Sequence, residues 1–147
     1  MIHYLTVQDV LWINQEVTKR VNDFKFAQLE EATYAQYAYG KSKDVLNQAA
    51  QFLATFMKLK PFTSGNRATV FVAALTFLKM NGFELALPPE KAQQWVEDIL
   101  EKRRTPIEAI KEIAIPHPPA HLKPIVRTIV HELIEQYEDT VNALVES

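Results

Sequence analysis

At 147 residues the chain has the length of one ordinary domain, enough to bury a sizeable core without disulfides or metals as staples. Sixteen basic against eighteen acidic side chains give a formal charge of −2. With 48% apolar and 23% charged residues, this excludes wholesale disorder, a fibrous repeat and a chain-wide attraction to nucleic acid. Cysteine is absent, so disulfides, Cys-ligated zinc and thiol nucleophiles are excluded, and any chemistry must use oxygen or nitrogen.

The opening Met1-Ile2-His3-Tyr4 has neither the basic nor the apolar region of a signal peptide. The longest apolar stretch, Val70 to Leu78, falls far short of the ~20 residues that a membrane-spanning helix needs. A cytoplasmic protein is expected, with no membrane partner and no direct nucleic-acid binding, and His3 is expected on a mobile terminus.

In chain order, Thr6-Val7-Gln8-Asp9 has the form of a capping box with Asp in place of Glu. Val10, Trp12, Ile13 and Val17 then fall on one face of a first helix, from Val7 to about Lys19. A second helix is predicted from Ala27 to Tyr39, stopped by Gly40. A third, from Asp44 to Leu59, carries a stripe of Val45, Ala49, Phe52, Leu53 and Phe56, and ends before Pro61. The fourth, Asn66 to Met80, is apolar nearly all round, as expected of a helix enclosed by its neighbours. Pro88-Pro89 suits the entry to a fifth helix reaching about Lys102, and Thr105-Pro106 the N-cap and first position of a sixth ending near Ile115. Pro116-His117-Pro118-Pro119 reads as an extended connector. A last helix spans about Pro124 to Leu144, with Ile125, Ile129, Leu133, Tyr137 and Val141 repeating every four residues. The expectation is a single all-α domain over residues 1–147, a helical bundle with a buried central helix.

One stretch stands apart from core building. Lys60-Pro61-Phe62-Thr63-Ser64-Gly65-Asn66-Arg67 is a turn leading straight into the most apolar helix. The first amides of a helix have no internal partner and carry the positive end of its dipole, so a Ser-Gly-Asn turn there can cradle a phosphate or carboxylate. Arg67 in the first turn opposes the dipole and is normally disfavoured, which strengthens the anion reading, and Lys60 adds a second cation. A plainer reading stays open: Ser64 or Asn66 caps the helix, Gly65 permits the turn and Arg67 faces solvent.

Lys60 to Leu85 resembles the signature loop and helix of the Fic/Doc (Fido) family, His-Pro-Phe-x-Asp-Gly-Asn-(Lys or Gly)-Arg followed, in the Doc (death-on-curing) branch, by an Ala/Leu-rich helix ending in Asn-Gly-Tyr. Pro61, Phe62, Gly65 and Asn66 match without a gap. Thr69, Phe71, Ala73, Ala74, Leu75, Phe77, Leu78, Asn81 and Gly82 continue the register, and Leu5-Thr6-Val7-Gln8-Asp9-Val10 is similar to that branch's opening. The resemblance implies an all-helical domain that transfers AMP or a phosphate from ATP to a protein hydroxyl. It also implies a general-base histidine, an acid that holds magnesium, a turn that binds nucleotide phosphates, and a protein target or an antitoxin-like partner.

The departures fall on those roles. Lys60 stands at the histidine position, and an ammonium is a poor general base at neutral pH. Ser64 stands at the acidic position and brings no charge to magnesium, whose affinity should fall. Arg67 keeps a cation, whereas Ala68 removes the arginine fork that follows in the family pattern. The chain therefore reads as a degenerate Doc-like member, retaining a nucleotide- or phosphate-binding loop of Thr63, Ser64, Gly65, Asn66 and Arg67, with transfer weakened or lost. Two alternatives are a non-catalytic interaction module, as in a toxin–antitoxin system, and an active transferase using Lys60 as the catalytic base.

Other polar groups carry weaker signals. His117 and His121 have the spacing of a zinc pair, but the intervening prolines forbid the helix that would align them. Tyr34, Tyr37 and Tyr39 with Lys41 and Lys43 are read either as half-buried packing or as an edge that docks a target segment.

Overall fold

A computed structural model describes residues 1–117 and 124–146. It has the all-α fold with a buried central helix that the apolar pattern predicts. Helix α1 (Val7–Thr18) opens on the expected box: the Thr6 hydroxyl accepts from the Asp9 amide, and the Asp9 carboxylate accepts from the Thr6 amide. It buries Val10, Ile13 and Val17, and with them the polar Asn14.

Helix α2 (Phe26–Tyr34) ends earlier than its pattern predicts, and residues Ala35–Gly40 tighten into a 3-10 turn in which Ala38 and Tyr39 are left-handed. Gln36 supplies a physical reason. Fully buried, its side-chain amide donates to the carbonyl of Thr33, which a continuing helix would need for itself. It also bonds the amide and carbonyl of Leu5, at 2.8 and 2.6 Å, and so ties the helix end to the N-terminal segment.

Helix α3 (Val45–Leu59), capped by Asp44, ends on Lys60 in the left-handed region at φ 47°. Helix α4 (Asn66–Met80) buries every residue from Ala68 to Leu78. Its sides are covered by α1, α3 and two later helices, α7 (Val126–Gln136) and α8 (Glu138–Val145). At its far end Asn81 bonds both the amide and the carbonyl of His3, at 2.7 and 2.9 Å. His3 is therefore anchored rather than on a mobile terminus, because a side-chain amide there imitates a strand partner.

Strand β1 (Phe83–Leu85) pairs antiparallel with β2 (Ala114–Pro116), Phe83 opposite Pro116. Between them lie α5 (Pro89–Leu100) and α6 (Pro106–Ile113), the latter closed by a reciprocal cap between Thr105 and Glu108. Pro116 thus belongs to a strand, and Pro118, Pro119 and His121 lie outside the described residues. The final helix breaks at Tyr137 into α7 and α8. The Tyr137 hydroxyl reaches into the core to donate to the Leu87 carbonyl at 2.7 Å, and its ring packs edge-on to Phe71. No helix among the described residues is long and apolar enough to cross a membrane.

Candidate functional site

The segment between α3 and α4 is held from three sides. Its inner anchor is Phe62, buried against Phe56 and Phe24. On one side the Asn66 side chain closes the loop on itself, its oxygen accepting from the Phe62 amide at 2.9 Å and its nitrogen donating to the Phe62 carbonyl at 2.8 Å. On the other, the loop before α2 pairs with it as a short antiparallel bridge. The Lys25 amide donates to the Pro61 carbonyl at 2.9 Å and the Thr63 amide to the Asp23 carbonyl at 3.0 Å.

The third support comes from α1. Buried Asn14 donates to the Ser64 carbonyl and to the Thr69 hydroxyl, each at 3.0 Å, and accepts from Asn22. Arg20 donates through Nη2 to the Ser64 hydroxyl at 2.8 Å, and its Nε is held by Asn22 at 3.1 Å. Gly65 sits where this packing leaves no room, since a Cβ there would lie 2.3 Å from the Thr18 methyl. Its φ of +77° is also one that side chains rarely adopt.

These supports leave the helix start open. Gly65 takes the N-cap position and no side chain caps α4, so neither Ser64 nor Asn66 plays the capping part. Intrahelical bonding begins at the Thr69 amide, which donates to Gly65. The amides of Asn66, Arg67 and Ala68 therefore find no acceptor among the described residues. In front of this turn lies a cleft of about 440 Å³, lined by Lys60, Thr63, Ser64, Gly65, Asn66 and Arg67, with Met57 from α3 and Val145 and Glu146 from the end of α8. Lys60 is exposed and Arg67 half-buried. Among the described residues neither side chain has a hydrogen bond or ion pair.

The cleft thus gathers Lys60 and the predicted loop residues Thr63 to Arg67, with one change of part. The Asn66 side chain is spent on Phe62 and can offer a ligand only its backbone amide. The tyrosines after α2 stand elsewhere: Tyr37 stacks on Tyr4 at 3.8 Å, and Tyr39 lines a different groove with Lys41. Arg20 and Asn14 were missed by sequence reasoning. A buried polar residue on the apolar face of α1 was the one signal that could have marked Asn14.

A family model described as the Fic/DOC family matches residues 4–78, just over half of the chain, and its span contains α1, the whole turn and most of α4. The chain belongs to the Fic/DOC family. No curated protein and no solved structure matched it.

The residue at the acidic position does not fit the magnesium ion implied by the family resemblance. Magnesium is held through one or two carboxylates together with substrate phosphates. Here the residue at the acidic position is Ser64, whose hydroxyl already accepts from a guanidinium. Glu146 is the one carboxylate among the cleft's lining residues. No group of three His, Cys, Asp or Glu side chains suited to a metal occurs among the described residues.

Proposed function

We propose that this Fic/DOC protein is a Doc-like member that binds the phosphates of a nucleotide such as ATP in the cleft before α4, with group transfer to protein hydroxyls weakened or lost. The observation that carries the reading is the convergence of open helix-start amides with two unpaired cations, Lys60 and Arg67, on one cleft. Amides at a helix start supply fixed donors aimed at an anion, and a cation beside them neutralises its charge without competing for the same donors.

The loss of transfer follows from what the remaining side chains can do. A general base must accept a proton, and a lysine side chain in its ordinary ammonium form has no lone pair with which to do so. Ser64 brings no charge to a metal, and Ala68, fully buried, brings no fork to a phosphate. Positioning and electrostatic stabilisation are nearly the whole of phosphoryl-transfer catalysis, so their joint loss costs more than loss of the base alone.

Calorimetric titration with ATP tests the reading. Saturable binding that Arg67→Ala weakens by about tenfold is expected, the size of one charge-assisted contact. No heat at millimolar ATP overturns it. With labelled ATP and candidate protein substrates, no label should move. Transfer that disappears in Lys60→Ala would instead establish a working enzyme based on that lysine.

One observation favours a second reading, an interaction module. The bridging loop before α2 turns an unsatisfied edge outward, because the Phe24 amide and carbonyl have no partner among the described residues. Val21, Phe24 and Phe26 expose 81%, 41% and 60% of their surface. An extended segment of a target or an antitoxin-like chain can add to such an edge. Co-purification with a partner that is lost in Phe24→Asp but kept in Arg67→Ala is the expected result for this reading.

A further inference from the structure

The disagreement between the magnesium site and the residues present has a specific form. At the position where the family resemblance places a metal-holding acid, the Ser64 hydroxyl carries the guanidinium of Arg20 instead. We infer that Arg20 takes over the charge-neutralising part of the metal, so that phosphate binding in this cleft is independent of magnesium. The inference rests on the nucleotide-binding reading above and adds a residue outside the signature loop.

Three features argue for it. Arg20 lies on the link between α1 and α2, and among the described residues no carboxylate pairs with its charge. Its two side-chain bonds go to the uncharged Asn22 and Ser64. The guanidinium is aimed: Asn22 holds its Nε, and Asn22 is itself fixed by the Asn14 side-chain oxygen and the Thr18 hydroxyl, both at 2.9 Å. Arg20 itself lines a neighbouring groove with Lys19 and Val21 and reaches the cleft through Ser64, and because it is exposed and spends one terminal nitrogen there, it keeps further donors for a ligand oxygen that approaches Ser64. A planar fork with five donors matches a phosphate edge, and its charge does not depend on pH or on a supply of divalent ion.

The test is ATP titration of the full chain in EDTA and in magnesium, for the wild type, Arg20→Gln, Arg20→Lys and Ser64→Ala. Wild-type affinity should agree within about twofold between the two buffers. Arg20→Gln should lose about tenfold or more, with Arg20→Lys recovering part of that loss through charge without the fork. Ser64→Ala separates ligand contact from loop support. It removes the acceptor that Arg20 uses in the free protein together with the loop's own hydroxyl, and should lose clearly less affinity than Arg20→Gln if the guanidinium acts on the ligand. A loss in Ser64→Ala equal to that of Arg20→Gln would make Arg20 a support of the loop and overturn the inference. Binding that needs magnesium, or that survives Arg20→Gln unchanged, overturns it too while leaving the nucleotide-binding reading standing. Absence of wild-type binding in both buffers overturns that reading and this inference together.

Discussion

The starts of α6 and α4 meet the same physical problem in opposite ways. Both leave backbone amides without partners. At α6 the Thr105 hydroxyl accepts from the Glu108 amide while the Glu108 carboxylate takes the Thr105 amide and hydroxyl, and a negative charge sits at the positive end of the helix. At α4 the cap position is a left-handed glycine, no side chain closes the end, and Arg67 puts a positive charge in the first turn. Local energetics disfavour the second arrangement. It survives because α4 does not depend on its caps: a continuous buried surface from Ala68 to Leu78 holds it in place. A helix stabilised by burial can leave its start open, and an open start beside unpaired cations is what an anion needs.

The most severe way to disturb this contrast is to fill the space that the open start requires. Gly65→Ala places a methyl group against Thr18 and a side chain at φ +77°. Left-handed strain and overpacking together should cost about 3 kcal/mol. Chemical denaturation should show it, and Thr18→Ala in the same chain should return the overpacking part while the strain remains. A full loss already relieved by Thr18→Ala would mean that the backbone at Gly65 is not strained.

A slightly smaller effect should come from occupying the site. If the α4 start binds phosphate groups, ATP at about a hundred times its dissociation constant stabilises the fold by about 2.7 kcal/mol. The same addition should do far less in Arg67→Ala, whose own stability should sit within about 0.5 kcal/mol of wild type, since the Arg67 side chain has no hydrogen-bond or ion-pair partner among the described residues to lose. At α6, by contrast, no ligand effect is expected, and Thr105→Ala should simply cost about 1 kcal/mol for the lost cap.

Much of this contrast was legible in the residues. Thr6 with Asp9 and Thr105 with Pro106 announce helix starts whose caps form as the pattern requires. The unbroken apolar run of α4 marks it as central, and the Ser-Gly-Asn turn with Arg67 marks the start of that helix, which is proposed above as an anion site. What could not be read were decisions made by single side chains reaching across the fold. Gln36 ends α2 through contacts to Leu5, and Tyr137 breaks the final helix by reaching Leu87. Both interrupt helices whose local periodicity is sound. Asn66 looked like a ligand or a cap and is a latch on Phe62. Arg20 gives no local signal, because its partner Ser64 is 44 residues away and the pairing exists only once α1 packs under the turn.

The smallest expected effect is also the sharpest separation of the two helix starts, because it uses acid rather than mutation. Hydrogen bonds from the Thr105 hydroxyl and amide hold the Glu108 carboxyl below the usual carboxylate range, favouring its charged form in the folded chain. A carboxyl lowered in this way contributes stability that is present above its unfolded value and is lost as pH falls through the folded one. Amide-exchange protection at the start of α6, corrected for intrinsic rates, should therefore decline as pH drops below about 4.5, the unfolded glutamate value. Glu108→Gln keeps an acceptor without the titration and should flatten that decline. The start of α4 has no side-chain cap to protonate, so its amides should gain protection only when an anion is added. Protection at Arg67 and Ala68 that fell with acid in the same way, with no anion present, would mean that a carboxylate does close this end, Glu146 being the one placed to do so.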